Sequence, residues 1–253
     1  VSSTDICPQA EFGEKEETHY KEGIYVGYRY YDAAHIKPLF PFGFGLGYTD
    51  FRLEPEAVTL AGEQVTVSAQ VRNTGAFSGK EVVQLYLSSP WGALDQPAQA
   101  LAAYGKTREL SPGESCRMEL RLRMSDLASF DESRNAYILE KGDYVLRCGN
   151  SSRKSKPIAL LRLTQDVVTL QAKPLPGKPD FSDWAPEGPD PMPEGLPVYV
   201  LDAASIPTGT VSDAQPVPPD PKVRALTDEE LVFLNIGGFK LKSRSGVVGD
   251  SGS

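Results

Sequence analysis

The chain has 253 residues, 40% of them hydrophobic, enough apolar material for one large or two small buried cores. Its net charge of −8 repels a phosphate backbone, so nucleic acid is excluded as an expected partner while neutral ligands such as sugars are not. Apolar runs such as those at 82–83, 85–87 and 158–161 are far too short to cross a bilayer, so no membrane partner is expected.

Residues 1–21 are polar, and Glu11, Glu14, Glu16 and Glu17 crowd together as in a solvated loop. The first residues carry neither a basic nor an apolar signal region. The odd, sparse set Cys7, Cys116 and Cys148 argues against a disulfide framework and points to a reducing compartment, so the expected location is cytoplasmic. Cys116 and Cys148 fall at alternating positions of predicted strands and are expected as small buried core residues.

Five tyrosines and Arg29 then fall within residues 20–31, followed by Gly43, Gly45 and Gly47 at every second position. A phosphate-binding glycine loop needs a preceding apolar strand and a following helix, and the sequence shows neither, so a close-packed crossing between domains is the better reading. His19 and His35 flank the cluster without further ligands at compatible spacing; they are read as loop or interface residues, with no metal and no other cofactor expected.

From Ala57 onward the period is two. Val65, Val67, Ala69 and Val71 alternate with polar neighbours, a half-buried strand that ends at the turn signal Asn73-Thr74-Gly75. Residues 81–87 predict a strand with Val83, Leu85 and Leu87 facing inward. Cys116, Met118, Leu120 and Leu122 form another one-sided strand, and residues 125–129 are expected as a single helical turn capped by Ser125. Tyr144, Leu146 and Cys148 repeat the alternation after Lys141-Gly142-Asp143, and residues 158–163 are expected to supply the last strand. About seven short strands with no long helical period predict a mainly β fold, an antiparallel two-sheet sandwich of the immunoglobulin-like kind preceded by an irregular N-terminal extension. The chain has 21 prolines, and 13 of them lie between Pro174 and Pro221, so residues 166–222 read as an extended linker. Beyond it, Thr227 with Glu230 three residues later predicts a capping box and a short helix with Leu231, Leu234 and Val232 on its apolar face, stopped at Gly237-Gly238.

The stretch Glu22-Gly23-Ile24-Tyr25-Val26-Gly27-Tyr28-Arg29-Tyr30-Tyr31-Asp32, with Pro41-Phe42-Gly43-Phe44-Gly45-Leu46-Gly47-Tyr48, resembles the junction in family 3 glycoside hydrolases where an α/β sandwich domain meets a fibronectin type III-like domain. Lys80-Glu81-Val82-Val83-Gln84-Leu85-Tyr86-Leu87 and Leu139-Glu140-Lys141-Gly142-Asp143-Tyr144 resemble strands of that fibronectin type III-like domain in family 3 β-glucosidases. Ala225-Leu226-Thr227-Asp228-Glu229-Glu230-Leu231 is similar to the start of the barrel in members with permuted domain order. The resemblance implies four parts: residues 1–47 as the tail of the α/β domain, 48–165 as the fibronectin type III-like sandwich, 166–222 as linker, and 223–253 as the start of a barrel.

It also implies a parent enzyme that hydrolyses terminal β-linked sugars with retention, a carboxylate attacking the anomeric carbon and a carboxylic acid protonating the leaving oxygen. The resemblance carries no catalytic residue onto this sequence. The expected role is a non-catalytic module bracing the catalytic domains, with those domains and a β-glucoside substrate as partners of the whole protein. A stand-alone carbohydrate- or protein-binding module is the alternative. Tyr28, Arg29, Tyr31 and Asp32 are the substrate-proximal candidates, since aromatic faces stack on pyranose rings; the competing reading is a seam that buries aromatic area and pairs Arg29 with a carboxylate. Ser182-Asp183-Trp184 imitates the surroundings of the family nucleophile and Gly249-Asp250-Ser251-Gly252 those of a trypsin-like serine, but both sit outside any supporting scaffold.

Overall fold

The computed structural model describes residues 20–174, 177, 181–211 and 220–235, with side chains to residue 232. Two compact units are present, Val1–Val211 and Ser212–Ser253. In chain order the first contains helix α1 (Tyr28–Ala33) and strands β1 (Phe51–Ala61), β2 (Gln64–Asn73), β3 (Val82–Ser88), β4 (Ala100–Lys106), β5 (Ser115–Arg123), β6 (Ser129–Asp131), β7 (Ala136–Leu139), β8 (Gly142–Gly149), β9 (Lys156–Leu163), β10 (Val167–Gln171), β11 (Val198–Val200) and β12 (Gly209–Thr210).

Alternation in β2 does what its pattern predicts: Val65, Val67, Ala69 and Val71 are all fully buried. β1 pairs with β2 through a two-residue turn in which Gly62 takes φ 62°, and a bulge at Glu56 lets the edge strand carry Pro55. With β5 on the other side of β2 these strands make one antiparallel sheet. β4, β3, β8 and β9 form the facing antiparallel sheet, and Val83, Leu85 and Leu87, with Tyr144, Leu146 and Cys148, meet Val65, Val67, Leu120 and Leu122 in a shared core. Those seven strands are the expected antiparallel sandwich. Burial of this core also raises the Cys148 thiol to about 11, and both described cysteines are free, Cys148 buried and Cys116 half-buried.

The structure departs from the sequence reading in four places. The stretch expected as linker contributes β10, which joins β6 and β7 in a further sheet, β12, which adds parallel to β10, and β11, which extends the main sheet parallel to β9. Leu201 and Ile206 from this stretch are buried in the sandwich core, while Met192, Val198, Val200 and Val211 stay exposed. The strand at 158–163 is therefore β9 and not the last. The predicted turn at 125–129 is a 3₁₀ turn over Met124–Leu127 with Arg123 at its N-cap; Ser125 donates no cap, and its buried Oγ has no hydrogen-bond partner among the described residues. The N-terminal extension, expected to be irregular, carries α1.

In the second unit Asp220 caps α2 (Pro221–Arg224), with Pro221 at N1, a start signal within the stretch read as linker. Helix α3 (Asp228–Asn235) opens on the expected box: Glu230 N donates to Thr227 Oγ1 at 3.2 Å, and Thr227 N donates to Glu230 Oε2 at 2.8 Å. Val232 is exposed. The predicted stop at Gly237-Gly238 and the Gly249-Asp250-Ser251-Gly252 lookalike lie outside the described residues, as do Cys7 and His19. Among the described residues, no helix is long and apolar enough to cross a membrane.

Candidate functional site

β3 is buried on both faces, which a half-buried strand would not be: Gln84 and Tyr86 on its outer face are as enclosed as Val83 and Leu85 on its inner one. The cover is the tyrosine-rich segment. Tyr28 stacks on Phe42 with ring centroids 4.5 Å apart and meets Tyr86 edge-on at 6.2 Å. Its hydroxyl accepts a hydrogen bond from Leu101 N at 2.9 Å, fastening α1 to β4. Gln84 Nε2 donates to the Asn150 carbonyl, and the Tyr86 hydroxyl bonds Gln84 Oε1. Burial, with the Tyr28 hydroxyl and the Asp32 carboxylate nearby, pushes the Tyr86 phenol well above its ordinary range, so it stays neutral.

Asp32 lies at the centre of the fastening and is only 7% exposed. Its Oδ2 accepts from Gln99 Nε2 at 2.9 Å, and Arg153 Nε stands 2.8 Å from Oδ1. Arg153 also donates through Nη2 to the carbonyls of Tyr31 and Ile36, both at 2.9 Å, binding the end of α1 to the β8–β9 loop. Gln99 in turn donates to Ser152 O and accepts from Ser155 Oγ, so the same loop is tied twice. The carboxylate pairing expected of Arg29 is thus made by Arg153; among the described residues the Arg29 guanidinium has no ion pair or side-chain hydrogen bond. Tyr31 meets Tyr30 edge-on at 5.9 Å.

The Ser182-Asp183-Trp184 lookalike is part of this packing. Trp184 meets Tyr25 and Tyr30 edge-on, each at 4.9 Å, and its backbone N–H donates to Lys21 O at 2.7 Å. Asp183 lies against Gly23, where an added Cβ would come within 2.8 Å of its Oδ2. The proline-rich stretch is thereby strapped to the tyrosine cluster. Of the spaced glycines, Gly43 has a steric reason: it takes φ 81°, and a Cβ there would collide with Gln84. On either side of it the segment leaves Leu39, Phe40, Phe42, Phe44, Leu46 and Tyr48 exposed, the last two at 93% each.

Of Tyr28, Arg29, Tyr31 and Asp32, singled out from the sequence, the side chains of Tyr28 and Asp32 fasten this packing, while Gln99, Arg153 and the packing role of Trp184 were not read from the sequence. The available signal was a lone tryptophan in a polar, proline-rich stretch, which has no reason to be there unless something covers it. Between the strap and the sandwich lies a cleft of about 560 Å³ whose lining includes His35, Trp91, Arg147 and Asp190. Among the described residues no group of three or more His, Cys, Asp or Glu side chains is placed to hold a metal ion.

A sequence profile described as a fibronectin type III-like domain matches residues 81–152. Beta-glucosidase A from Butyrivibrio fibrisolvens is 42% identical over 175 residues, which are 60% of this chain and 21% of that protein. The crystal structure of a β-glucosidase from Paenibacillus barengoltzii superposes with a TM-score of 0.61 at 42% identity, covering 65% of this chain and 19% of the other. A GH3 β-glucosidase from Bifidobacterium adolescentis gives a TM-score of 0.57 at 30% identity, over 71% of this chain and 26% of its own. The chain spans about a fifth to a quarter of the length of these relatives.

Proposed function

We propose that this chain, matched by a fibronectin type III-like profile and by β-glucosidases of which it spans about a fifth, is the bracing, non-catalytic part of a retaining family 3 β-glycosidase acting on terminal β-linked sugars. One observation carries this reading. A segment clamped to the sandwich by Asp32, Arg153 and Tyr28 ends in a row of exposed apolar side chains from Leu39 to Tyr48. Such a row is costly in water and marks a surface that another body covers. The clamp fixes the direction in which that row is presented, and the sandwich supplies a rigid footing for it. Tyr28 and Asp32 then serve substrate only at a distance, by holding the seam against which the α/β and barrel domains of the parent sit.

The test compares the isolated chain with the full-length gene product on an aryl β-glucoside. The chain is expected to show no turnover and the full-length protein to be active. In the full-length protein, Arg153→Ala is expected to lower thermal stability while leaving kcat per folded molecule unchanged. A full-length protein inactive on every β-glycoside tried would sink the reading, and so would turnover by the isolated chain.

A further inference from the structure

The cleft between the strap and the sandwich is assembled from parts that bracing does not use. Its walls are largely apolar, with Pro97, Ala98, Val145, Pro189 and Met192 among them, and its volume lies within the range of small-ligand sites. Trp91 lies on its rim, 51% exposed and free of any aromatic contact among the described residues. The loop that carries it is nonetheless held in place, because the Glu140 carboxylate accepts from Ala93 N at 2.7 Å and from Leu94 N at 3.3 Å.

Arg147 rises into the same cleft from β8. Its Nε donates to Ser88 Oγ at 3.1 Å, which fixes the guanidinium, while its two terminal nitrogens make no hydrogen bond among the described residues. Burial lowers its pKa more than Asp190 and Asp32 raise it, so this cation is short of solvation. Asp190 enters from the strap and stands 3.9 Å from His35 Nε2, placing an acceptor in the cleft as well.

We propose that this cleft binds a pyranose ring, with the apolar face of the sugar on Trp91, neighbouring hydroxyls accepting from the terminal nitrogens of Arg147, and another hydroxyl donating to Asp190. The combination selects the ligand class. A simple anion would pair with Arg147 but would be repelled by Asp190 and gain nothing from Trp91. A wholly apolar ligand would bury Arg147 without a partner. A sugar alone uses the flat face, the donors and the acceptor together, and the cleft has room for a disaccharide. The inference does not rest on the catalytic reading, because it concerns binding by this chain itself.

The test is titration of the chain with cellobiose, followed by tryptophan fluorescence and calorimetry, with sodium acetate as the anionic control. The chain has two tryptophans, and Trp184 is packed against Tyr25 and Tyr30, so a saturable spectral change reports Trp91. Millimolar binding of cellobiose is expected, at least about tenfold weaker in Trp91→Ala and in Arg147→Lys, and retained in Trp184→Phe. Trp91 is a half-exposed loop residue, so its alanine variant should keep the circular dichroism spectrum of the parent chain. Flat cellobiose titrations at tens of millimolar, saturation by acetate in place of the sugar, or unchanged affinity in Trp91→Ala would each overturn the proposal.

Discussion

Arg153 Nε stands 2.8 Å from Asp32 Oδ1, joining a carboxylate of the tyrosine cluster to a loop that follows β8. The pair is asymmetric: the Asp32 side chain is 6% exposed and that of Arg153 38%, so the carboxylate has given up water while the guanidinium keeps part of it. Three contacts from one arginine therefore tie residues 31–36 to the β8–β9 loop.

Removing Arg153 leaves the buried carboxylate with Gln99 alone. Loss of one partner of a fully buried pair costs about 3–5 kcal/mol, and the solvent-facing half of Arg153 reduces this to about 1–3 kcal/mol for Arg153→Ala. Asp32→Asn is expected to cost less, because an amide tolerates burial without a counter-charge. Urea denaturation of the two variants decides the matter; equal stability of Arg153→Ala and the parent chain would mean that the clamp contributes nothing.

The spaced glycines separate cleanly. Gly43 combines φ 81° with a Cβ position that collides with Gln84, whereas an added Cβ at Gly45 would meet nothing within 4 Å. Gly43→Ala is expected to destabilise by about 1–3 kcal/mol and Gly45→Ala to stay within about 0.5 kcal/mol of the parent. Thermal melts of both measure it, and similar costs at the two sites would contradict the close approach of residue 43 to β3.

Thiol reactivity should follow burial. With its pKa pushed up to about 11, Cys148 has almost no thiolate near pH 8, while half-buried Cys116 meets solvent. Iodoacetamide labelling of the native chain, read by peptide mass spectrometry, is expected to modify Cys116 at least about tenfold faster than Cys148. Parity between them would indicate that the core opens locally at β8.

Acid sensitivity has an identifiable contributor. Hydrogen bonds from Arg162, at 2.7 and 2.8 Å, hold the Asp143 carboxyl below its ordinary range despite its partial burial. A folded pKa below the unfolded one means the pair stabilises fully above the ordinary carboxylate pKa of about 4 and loses that contribution as pH falls toward the folded value. The Tm of the parent chain should therefore fall more steeply than that of Asp143→Asn once pH drops below about 5. Parallel curves would show that the pair is energetically silent.

The sequence by itself determined the sandwich and the capped C-terminal helix. Alternation marks which face of β2, β5 and β8 is apolar, and Thr227 with Glu230 satisfies a helix start within four residues, so both signals are local. It also carried the family resemblance, through residues 22–48 and 80–87, and singled out Tyr28 and Asp32. What only the tertiary structure decided is what meets those residues. Periodicity reports one buried face of a strand, and nothing in it says that Gln84 and Tyr86 on the other face of β3 are covered by a helix from the N-terminal segment. The choice of Arg153 over the neighbouring Arg29 as partner of Asp32 depends on which loop the topology delivers, and charge alone does not distinguish them. The proline-rich stretch read as linker because prolines cost ladder hydrogen bonds, yet the few residues free to pair form short parallel and antiparallel additions, Leu201 and Ile206 enter a core that exists only once the sheets are stacked, and Trp184 packs on the tyrosine cluster.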